Sequence, residues 1–343
     1  MKIIHFADSH LDAPFRALSD REELGAKRRL EQREAIKGII NYAKAKDVDV
    51  ILIAGDFFEH EYIRESTIDF VNELFGEIPD TKIFIVPGNH DPKLKNSYYS
   101  TYTWAPNVKI FSEKLERIDL GEADLYGYGF NNFEMKTNIT DNIEIKNPEK
   151  TNIFISHGDI YEDSNYNPMN YKKLKTQFDY IALGHVHKRD DVYPGSLISL
   201  GFDEPGEHGF FYLKIENKNI ITKEFVKQDP REFIKQDLDV TNLKSNDELI
   251  ENMNDIETEN NLYEIKLVGE RNFKIEVNLN LIQKNIIKIK NNTKLKEDSK
   301  LSENENTLYG IFVKNLKEKL TSGRIDEETY EKVLETGRDV MQK

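Results

Sequence analysis

Residues 83–91 read Ile83-Phe84-Ile85-Val86-Pro87-Gly88-Asn89-His90-Asp91. Their four apolar residues predict a buried strand, and Pro87-Gly88 predicts the turn that ends it. The turn presents an amide, an imidazole and a carboxylate side by side. Because open α/β sheets bind their ligands at this end of their strands, the stretch predicts a functional loop at the edge of a buried sheet.

Strands and helices alternate before this stretch. Apolar runs predict strands at Lys2–Ala7 and Val48–Ala54, and helical spacing predicts helices at about Glu22–Lys46 and around Ile68–Phe75. A β-α-β-α-β order implies parallel strands with right-handed crossovers. Later strands are predicted at Lys109–Leu120, Asp124–Phe130, Asn152–Ile155, Asp179–Leu183, Gly209–Ile215 and Ile220–Val226. With helices early and a hairpin late, this α/β pattern predicts two stacked sheets with helices outside.

The pattern changes after Gln228-Asp229-Pro230. We therefore predict a first domain over residues 1–228 and a small α+β domain over 229–290, with strands at Phe233–Val240, Tyr263–Val268 and Phe273–Leu279 around a helix near Asp247–Asn254. Residues 291–306 are polar and predict a linker. Residues 307–343 predict a C-terminal pair of amphipathic helices that Ser322-Gly323 separates.

Composition narrows the chemistry. The 343 residues include no cysteine, which excludes disulfides, thiolate metal sites and cysteine nucleophiles. The net charge of -14 argues against a protein that coats nucleic acid by charge alone. It does not exclude a nuclease, because bound cations can invert the field near a site. No apolar run of about 18 residues and no signal peptide is visible, so we expect a cytoplasmic protein and no membrane partner.

Metal-ligating residue types follow five of the predicted strands. A single histidine is commonly a core or surface residue, but five such strand ends together predict a two-metal site. Carboxylate, amide and imidazole ligands suit Mn²⁺, Fe²⁺ or Zn²⁺, and the two oxygens of Asp56 allow it to bridge two ions. The set comprises Asp8, His10, Asp56, Asn89, His90, His157, His185 and His187.

Five short motifs carry a family resemblance: Asp8-Ser9-His10, Gly55-Asp56, Gly88-Asn89-His90-Asp91, Ser156-His157-Gly158 and Gly184-His185-Val186-His187. In order and type they resemble the blocks of the calcineurin-like metallophosphoesterases, over about residues 1–215. Lys2–Asp12 and Gly195–Gly209 are most similar to the SbcD-type DNA repair exonucleases and their YhaO-like branch. The resemblance implies a four-layer β-sandwich flanked by helices.

The resemblance also implies roles for the residues. Two divalent metal ions are expected, foremost Mn²⁺, with Fe²⁺, Zn²⁺ or Mg²⁺ as alternatives. Asp56 would be shared between them, and His90 would protonate the leaving group or hydrogen-bond the developing charge. The first ion would be bound by Asp8, His10 and His187, and the second by Asn89, His157 and His185.

The leading hypothesis is an exonuclease, and by extension an endonuclease, that hydrolyses phosphodiester bonds at DNA ends in repair. The resemblance implies that the small domain caps the core or positions double- or single-stranded DNA. It also implies that the terminal helices bind an SbcC-type, SMC-like ATPase; packing on the chain's own second domain is the alternative. Relatives include homodimers. A nucleotide or phosphoprotein hydrolase, or a non-catalytic scaffold, are the competing functions.

Several residues keep two interpretations. Phosphatase relatives carry an aspartate three residues after the bridging aspartate and nucleases a histidine, whereas this chain has Glu59 followed by His60. Asp91 is either structural or functional, and His208 is unassigned. His5 is predicted to be a core residue. The group Tyr98, Tyr99, Tyr102 and Trp104 either stacks on bases or packs a loop, and Lys27–Arg33 either contacts phosphates or forms a charged helix face.

Overall fold

A computed structural model describes residues 1–19, 21–161, 164–296 and 307–341, apart from the side chains of Glu22 and Asp339. The chain divides into two units, Met1–Glu232 and Phe233–Lys343. The elements of the first unit are β1 Lys2–Phe6, α1 Glu22–Lys46, β2 Val50–Ala54, α2 Glu65–Gly76, β3 Lys82–Val86, α3 Tyr98–Thr101, β4 Val108–Ile110, β5 Glu116–Asp119, β6 Ala123–Gly127, β7 Thr151–His157, α4 Tyr171–Gln177, β8 Tyr180–Gly184, β9 Gly209–Glu216 and β10 Asn219–Lys227.

Two sheets form the first unit. One has the strand order β10-β9-β1-β2-β3-β4, and the other has the order β5-β6-β7-β8. Strands β1 to β4 run parallel, β9 pairs antiparallel with β1, and β6, β7 and β8 are parallel. The carboxyl ends of the parallel strands in each sheet therefore lie at one edge, where ligand-binding loops are expected.

The sheets pack face to face around one apolar core. Alternate residues of β2 and β3 meet alternate residues of β6, β7 and β8 in this core, as the two-residue period of strands requires. Helices cover the outer faces: Tyr42 of α1 contacts Phe210 and Tyr212 of β9, and Leu174 of α4 joins the cluster outside the second sheet. These are the four layers that the sequence predicts.

The predicted strand Lys109–Leu120 is wrong as a single element. Its residues divide between β4, which pairs with β3, and β5, which pairs with β6. The break comes at Phe111-Ser112, where Glu116 Oε1 accepts hydrogen bonds from the backbone N and the Oγ of Ser112. Phe111 N still donates to Ile85 O of β3, whereas Ser112 O accepts from Gly129 N, after β6, so the chain passes from one sheet to the other at this point.

The second unit contains β11 Phe233–Asp239, α5 Asn246–Asn254, β12 Leu262–Val268, β13 Glu270–Arg271, β14 Ile286–Asn291, β15 Lys294–Leu295, α6 Leu308–Thr321 and α7 Glu327–Met341. Strands β11, β12 and β14 form a parallel sheet. The predicted strand Phe273–Leu279 is wrong. Its apolar side chains do pack in the core of this unit, but Asn246 accepts from Glu276 N and donates to Lys274 O. No strand within the described ranges pairs with this backbone.

The stretch interpreted as a linker is structured where it is described. Asn291 ends β14, and Lys294–Leu295 forms β15, which pairs with β13; residues 297–306 lie outside the described residues. Helices α6 and α7 pack on each other and on Leu295, and Arg271 Nη1 lies 3.0 Å from Glu335 Oε1. The inner face of the helical pair therefore packs on its own unit. Among the described residues, no helix is long and apolar enough to cross a membrane.

Candidate metal centre

The predicted ligands converge at the carboxyl ends of β1, β2, β3, β7 and β8. Backbone hydrogen bonds join the loops there, from Asp8 N to Gly55 O and from His10 N to Asp56 O, both at 3.0 Å. The backbone φ angles are positive at Asp8 (51°), His10 (41°), Asp56 (47°) and His185 (116°). Such angles are costly for residues other than glycine and cluster at functional sites.

The first donor group consists of Asp8, His10 and His187, whose potential ligand atoms lie within 4.8 Å of one another. His10 Nε2 and His187 Nε2 are 3.0 Å apart, and Asp8 Oδ1 is 3.9 Å from His187 Nε2. Asp8 and His10 are buried, whereas His187 is partly exposed. The group is therefore open to solvent on one side.

The second donor group consists of Asp56, His157 and His185, again within 4.8 Å. Asn89 Oδ1 belongs with it, at 3.0 Å from His157 Nε2 and 3.2 Å from His185 Nδ1. Asp56 Oδ2 lies 3.2 Å from His157 Nε2 and 3.9 Å from His10 Nε2 of the first group. Asp56 thus stands between the two groups, where a bridging carboxylate is needed.

Hydrogen bonds behind the histidines show that this donor set fits cations. His10 Nδ1 faces Glu59 Oε1 at 2.8 Å and His187 Nδ1 faces Glu204 Oε1 at 2.5 Å, so each Nδ1 donates its hydrogen to a carboxylate. Neutral rings held in this way point Nε2 lone pairs at each other across 3.0 Å. A cation between them removes that repulsion. A carboxylate behind a metal-binding histidine ordinarily fixes the tautomer that presents Nε2 to the metal.

The second group has the same character. His157 Nδ1 lies 2.9 Å from the Ala54 carbonyl, which must accept a hydrogen bond. In the neutral ring, Nε2 is then an acceptor that faces the acceptor oxygens of Asn89 and Asp56. Only a proton or a cation makes this arrangement favourable. The residues present therefore fit two adjacent metal ions.

Protonation shifts in the metal-free centre have the same cause. Burial opposes charge on His157, but the Asp56 carboxylate outweighs it and raises the pKa of His157 to about 9. Burial likewise opposes charge on His187, and the hydrogen bond that its ring donates to Glu204 raises its pKa to about 9. Burial would raise the pKa of Asp56, yet the charge of His157 holds that pKa below its usual value.

His90 lies at the exposed side of the centre. Its ring centroid is 4.8 Å from that of His10, and its Nδ1 lies 3.1 Å from Glu59 Oε1. The hydrogen bond to Glu59 raises the pKa of His90 to about 9. Of the two residues that the sequence left open, Glu59 contacts His90 through its side chain, whereas His60 contacts the ring of Phe133.

Asp91 holds the loop together and does not face the donor groups. Its carboxylate accepts hydrogen bonds from the backbone N of Gly88 and Asp56 at Oδ1, and from Phe57 N and Tyr99 Oη at Oδ2. A side chain at position 88 would collide with Asp56 Oδ1, which explains glycine there. These contacts therefore support the structural interpretation of Asp91.

Several of the other open residues have structural contacts. His5 is a core residue, as predicted: its Nδ1 is 2.8 Å from Tyr180 Oη, and burial lowers its pKa to about 3. His208 is buried against Ser196 and Glu204. Arg28 is buried and paired with Asp229. The rings of Tyr99 and Trp104 pack on Phe58 and Phe75 respectively, so that aromatic group packs a loop.

One contributor was not predicted. Glu204 supports His187 from a loop between β8 and β9, and its second oxygen accepts hydrogen bonds from Ser196 Oγ and Leu200 N. It follows no apolar strand and matches no motif. The one signal in the sequence was that Glu204 is an acidic residue within Gly195–Gly209, a stretch similar to the SbcD-type exonucleases.

A layered α/β fold whose strand ends gather two adjoining donor groups is typical of metal-dependent hydrolases. Residues 1–189 match the family model described as calcineurin-like phosphoesterase, and the chain belongs to that family. The family predicted from the five motifs is thereby confirmed. Phosphoester hydrolysis with two divalent metals is the chemistry of this family.

Two curated relatives refine the comparison. The chain is 26% identical to an uncharacterized metallophosphoesterase, YhaO, of Bacillus subtilis strain 168, over 71% of this chain and 64% of the relative. It is 28% identical to the SbcD subunit of the nuclease SbcCD of Staphylococcus saprophyticus, over 65% of this chain and 68% of the relative. The chain thus spans about two thirds of the length of these relatives.

A solved structure shows a weaker likeness. The crystal structure of TT1561 of Thermus thermophilus superimposes with a TM-score of 0.39 at 13% identity, over 65% of this chain and 98% of that one.

Proposed function

We propose that this chain is a two-metal-dependent nuclease that hydrolyses phosphodiester bonds at DNA ends, as an exonuclease in DNA repair. The observation that carries the proposal is the pair of donor groups that share Asp56, with His90 beside them. Its likeness to a protein named as a subunit of the nuclease SbcCD favours DNA as the substrate.

Each residue of the centre receives a role. Asp8, His10 and His187 would hold one cation and Asn89, His157 and His185 the other, with Asp56 shared. Two divalent cations, for which we propose Mn²⁺, would neutralise the phosphodiester and lower the pKa of an attacking water when bound.

His90 is the candidate general acid. Its Nδ1 is held by Glu59, so its Nε2 is the atom that can reach a leaving oxygen. In the metal-free centre, the hydrogen bond to Glu59 raises the pKa of His90 to about 9, which favours the protonated ring that a general acid requires. Glu59 keeps the ring in place and stabilises its charge.

The experiment is digestion of end-labelled single- and double-stranded DNA by the Mn²⁺-loaded chain. We expect stepwise shortening that EDTA abolishes and His90→Ala reduces at least about a hundredfold. The exposed Asn96, on the loop after Asp91, offers Asn96→Ala as the matched control. Intact DNA after prolonged incubation would overturn the proposal, and an unchanged rate in His90→Ala would favour a different proton donor.

A hydrolase of nucleotides or phosphoproteins is the second candidate. The observation that favours it is Glu59, since a carboxylate behind the catalytic histidine is the arrangement expected of the phosphatase branch. A cyclic nucleotide and a phosphopeptide assayed beside DNA separate the two candidates. Hydrolysis of either compound with no cleavage of DNA would select the second.

The second unit is assigned by the same resemblance. We propose that its α+β part positions DNA and that the helical pair binds an SbcC-type ATPase. Apolar side chains remain exposed on the two helices, and these would be covered by the partner: Leu308, Ile311, Val333 and Val340. Copurification with an SbcC-type ATPase, lost in Leu308→Asp and Ile311→Asp, tests this assignment.

A further inference from the structure

The exposed aromatic side chains of the described residues are confined to one edge of the first unit. The large aromatic side chains that are exposed are Tyr62, Phe133, Tyr161 and Tyr166; the other large exposed hydrophobic side chains are aliphatic. Tyr62 follows β2, Phe133 follows β6, and Tyr161 and Tyr166 follow β7. These loops begin at the carboxyl ends of the strands, where the donor groups lie. Single exposed apolar residues are ordinary, but this confinement requires a reason.

Two of these rings contact histidines of the centre's own loops. The Tyr166 ring centroid lies 5.2 Å from that of His185, a member of the second donor group. The Phe133 ring centroid lies 6.0 Å from that of His60, whose backbone N donates to His90 O at 3.1 Å. The Tyr166 ring thus borders the second donor group, and the Phe133 ring lies beside the His60 loop, which a backbone hydrogen bond joins to His90.

Backbone hydrogen bonds anchor the loop that carries Tyr166 to the segment that follows Phe133. Met135 N donates to Asn165 O at 3.0 Å, and Met135 pairs with Tyr166 in an isolated bridge. Asp159 N, two residues after His157, donates to Tyr166 O at 3.0 Å. Phe133 is 44% exposed and Tyr166 is 37% exposed. Each ring is therefore held by the protein on one side and open to solvent on the other.

The chemistry of the centre limits what can cover these rings. Its donor groups suit cations that bind a phosphoryl oxygen, so the covering group must be flat, largely apolar and attached to a phosphate. A nucleobase meets these conditions, and so does the ring of a phosphotyrosine. The phosphodiester substrate of the proposed function favours the nucleobase of the two. A base within a duplex already has both faces stacked and must leave the helix to reach an aromatic ring.

We propose that Phe133 and Tyr166 form a stacking platform for unpaired nucleobases that flank the scissile phosphodiester, so that the substrate is a single-stranded DNA end. This inference rests on the proposed function. It also extends it, because the two donor groups alone do not distinguish single from double strands.

The test compares cleavage of one bond in two substrates. End-labelled single-stranded oligonucleotides carry, at the two nucleotides that flank the first cleaved bond, either bases or a tetrahydrofuran abasic analogue. For the Mn²⁺-loaded full chain, we expect kcat/KM to be at least about fivefold higher on the base-bearing strand. Tyr166→Leu and Phe133→Leu should bring this ratio toward one, whereas Tyr166→Phe, which keeps the ring, should preserve it.

The control is Ile221→Ala, which removes an exposed apolar side chain of β10 and should keep the wild-type ratio. Because each variant is judged by its own ratio, a partly unfolded variant does not imitate the expected result. Equal rates on both strands in the wild type, or an unchanged ratio in both leucine variants, would overturn the inference. Failure to cut any oligonucleotide would instead overturn the proposed function, and the inference with it.

Discussion

The Glu59 carboxylate lies 3.1 Å from Nδ1 of His90, and the same oxygen lies 2.8 Å from Nδ1 of His10. One side chain therefore orients both a candidate metal ligand and the candidate general acid. Burial would raise the pKa of Glu59, but the hydrogen bonds to His10 and His90 lower it to about 2. The carboxylate is thus ionised at neutral pH.

Replacement of Glu59 should affect rate and pH dependence together. We expect Glu59→Gln to lower kcat/KM about 10- to 100-fold, because the orienting carboxylate is lost. The pKa of His90 should fall, so activity that requires a protonated His90 should decline at a lower pH than in the wild type. A pH–rate profile of both proteins measures this. Glu216→Gln, at an exposed ion pair on β9, is the control, and an unshifted profile in Glu59→Gln would contradict the role.

Loss of the shared carboxylate should remove the second ion. Asp56 stands between both donor groups, so we expect Asp56→Asn to retain at most one Mn²⁺ per chain and to lose more than about 100-fold in activity. Metal analysis after dialysis, together with kinetics, checks both outcomes. Asp119→Asn, at an exposed site, serves as control. Two tightly bound ions in Asp56→Asn would show that the groups are independent.

Cation binding should strengthen with rising pH. His157 and His187 have pKa values raised to about 9 in the metal-free centre, so each holds a proton at pH 7 that a metal must displace. Below pH 9, each displaced proton should raise the apparent association constant about tenfold per pH unit. Calorimetry with Mn²⁺ in buffers of different ionisation enthalpy counts the released protons. An affinity that does not change with pH would exclude these rings as ligands.

The same shifts set the sign of a stability effect. Since the folded pKa values exceed the unfolded value of 6.5, protonation of the two rings stabilises the metal-free protein fully below that pH. This stabilisation is lost as pH rises through 9. The increase in Tm caused by Mn²⁺ should therefore be larger at about pH 8.5 than at about pH 6.5. The reverse order would contradict a protonated His157 and His187 in the metal-free centre.

Asp91 should matter for stability. Asp91→Asn places an amide N–H₂ group against donors that now meet a carboxylate oxygen, and we expect it to lower the free energy of unfolding by about 2–4 kcal/mol. Tyr99→Phe removes a single hydrogen bond and should cost about 1 kcal/mol. Urea denaturation of both variants measures the difference. Equal losses would mean that the backbone amides do not depend on the carboxylate.

The sequence predicts those residues of the site that follow strands, and it does not predict those that lie on loops without a motif. Each predicted ligand follows an apolar strand, and because parallel strands end at a common edge, their convergence could be inferred from order alone. Glu204 lies on a loop without a motif, and Phe133 and Tyr166 are ordinary loop residues until the fold brings them to the centre. By contrast, the sequence left both base stacking and loop packing open for Tyr99, whose hydroxyl donates a hydrogen bond to Asp91 in the structure.

The fold shows the same division. Apolar runs separated by helices predict β1, β2 and β3, because the strands of a parallel sheet are buried on both faces and therefore consist of continuous apolar residues. The alternation of apolar and polar residues gives a wrong prediction at Phe273–Leu279. Every second side chain of this segment lies in the core, but its backbone is hydrogen-bonded by the side chain of Asn246 and not by another strand. Side-chain hydrogen bonds of this kind leave no periodic signal.

The positive φ angles at Asp8, His10, Asp56 and His185 have a practical consequence for engineering. Each stores up to about 1–3 kcal/mol that the surrounding loops must offset. Directed evolution that selects for thermostability alone should therefore favour glycine at these positions. The resulting variants would be more stable but would no longer bind cations. Mutant libraries designed to increase the stability of this protein should therefore leave these four positions unchanged.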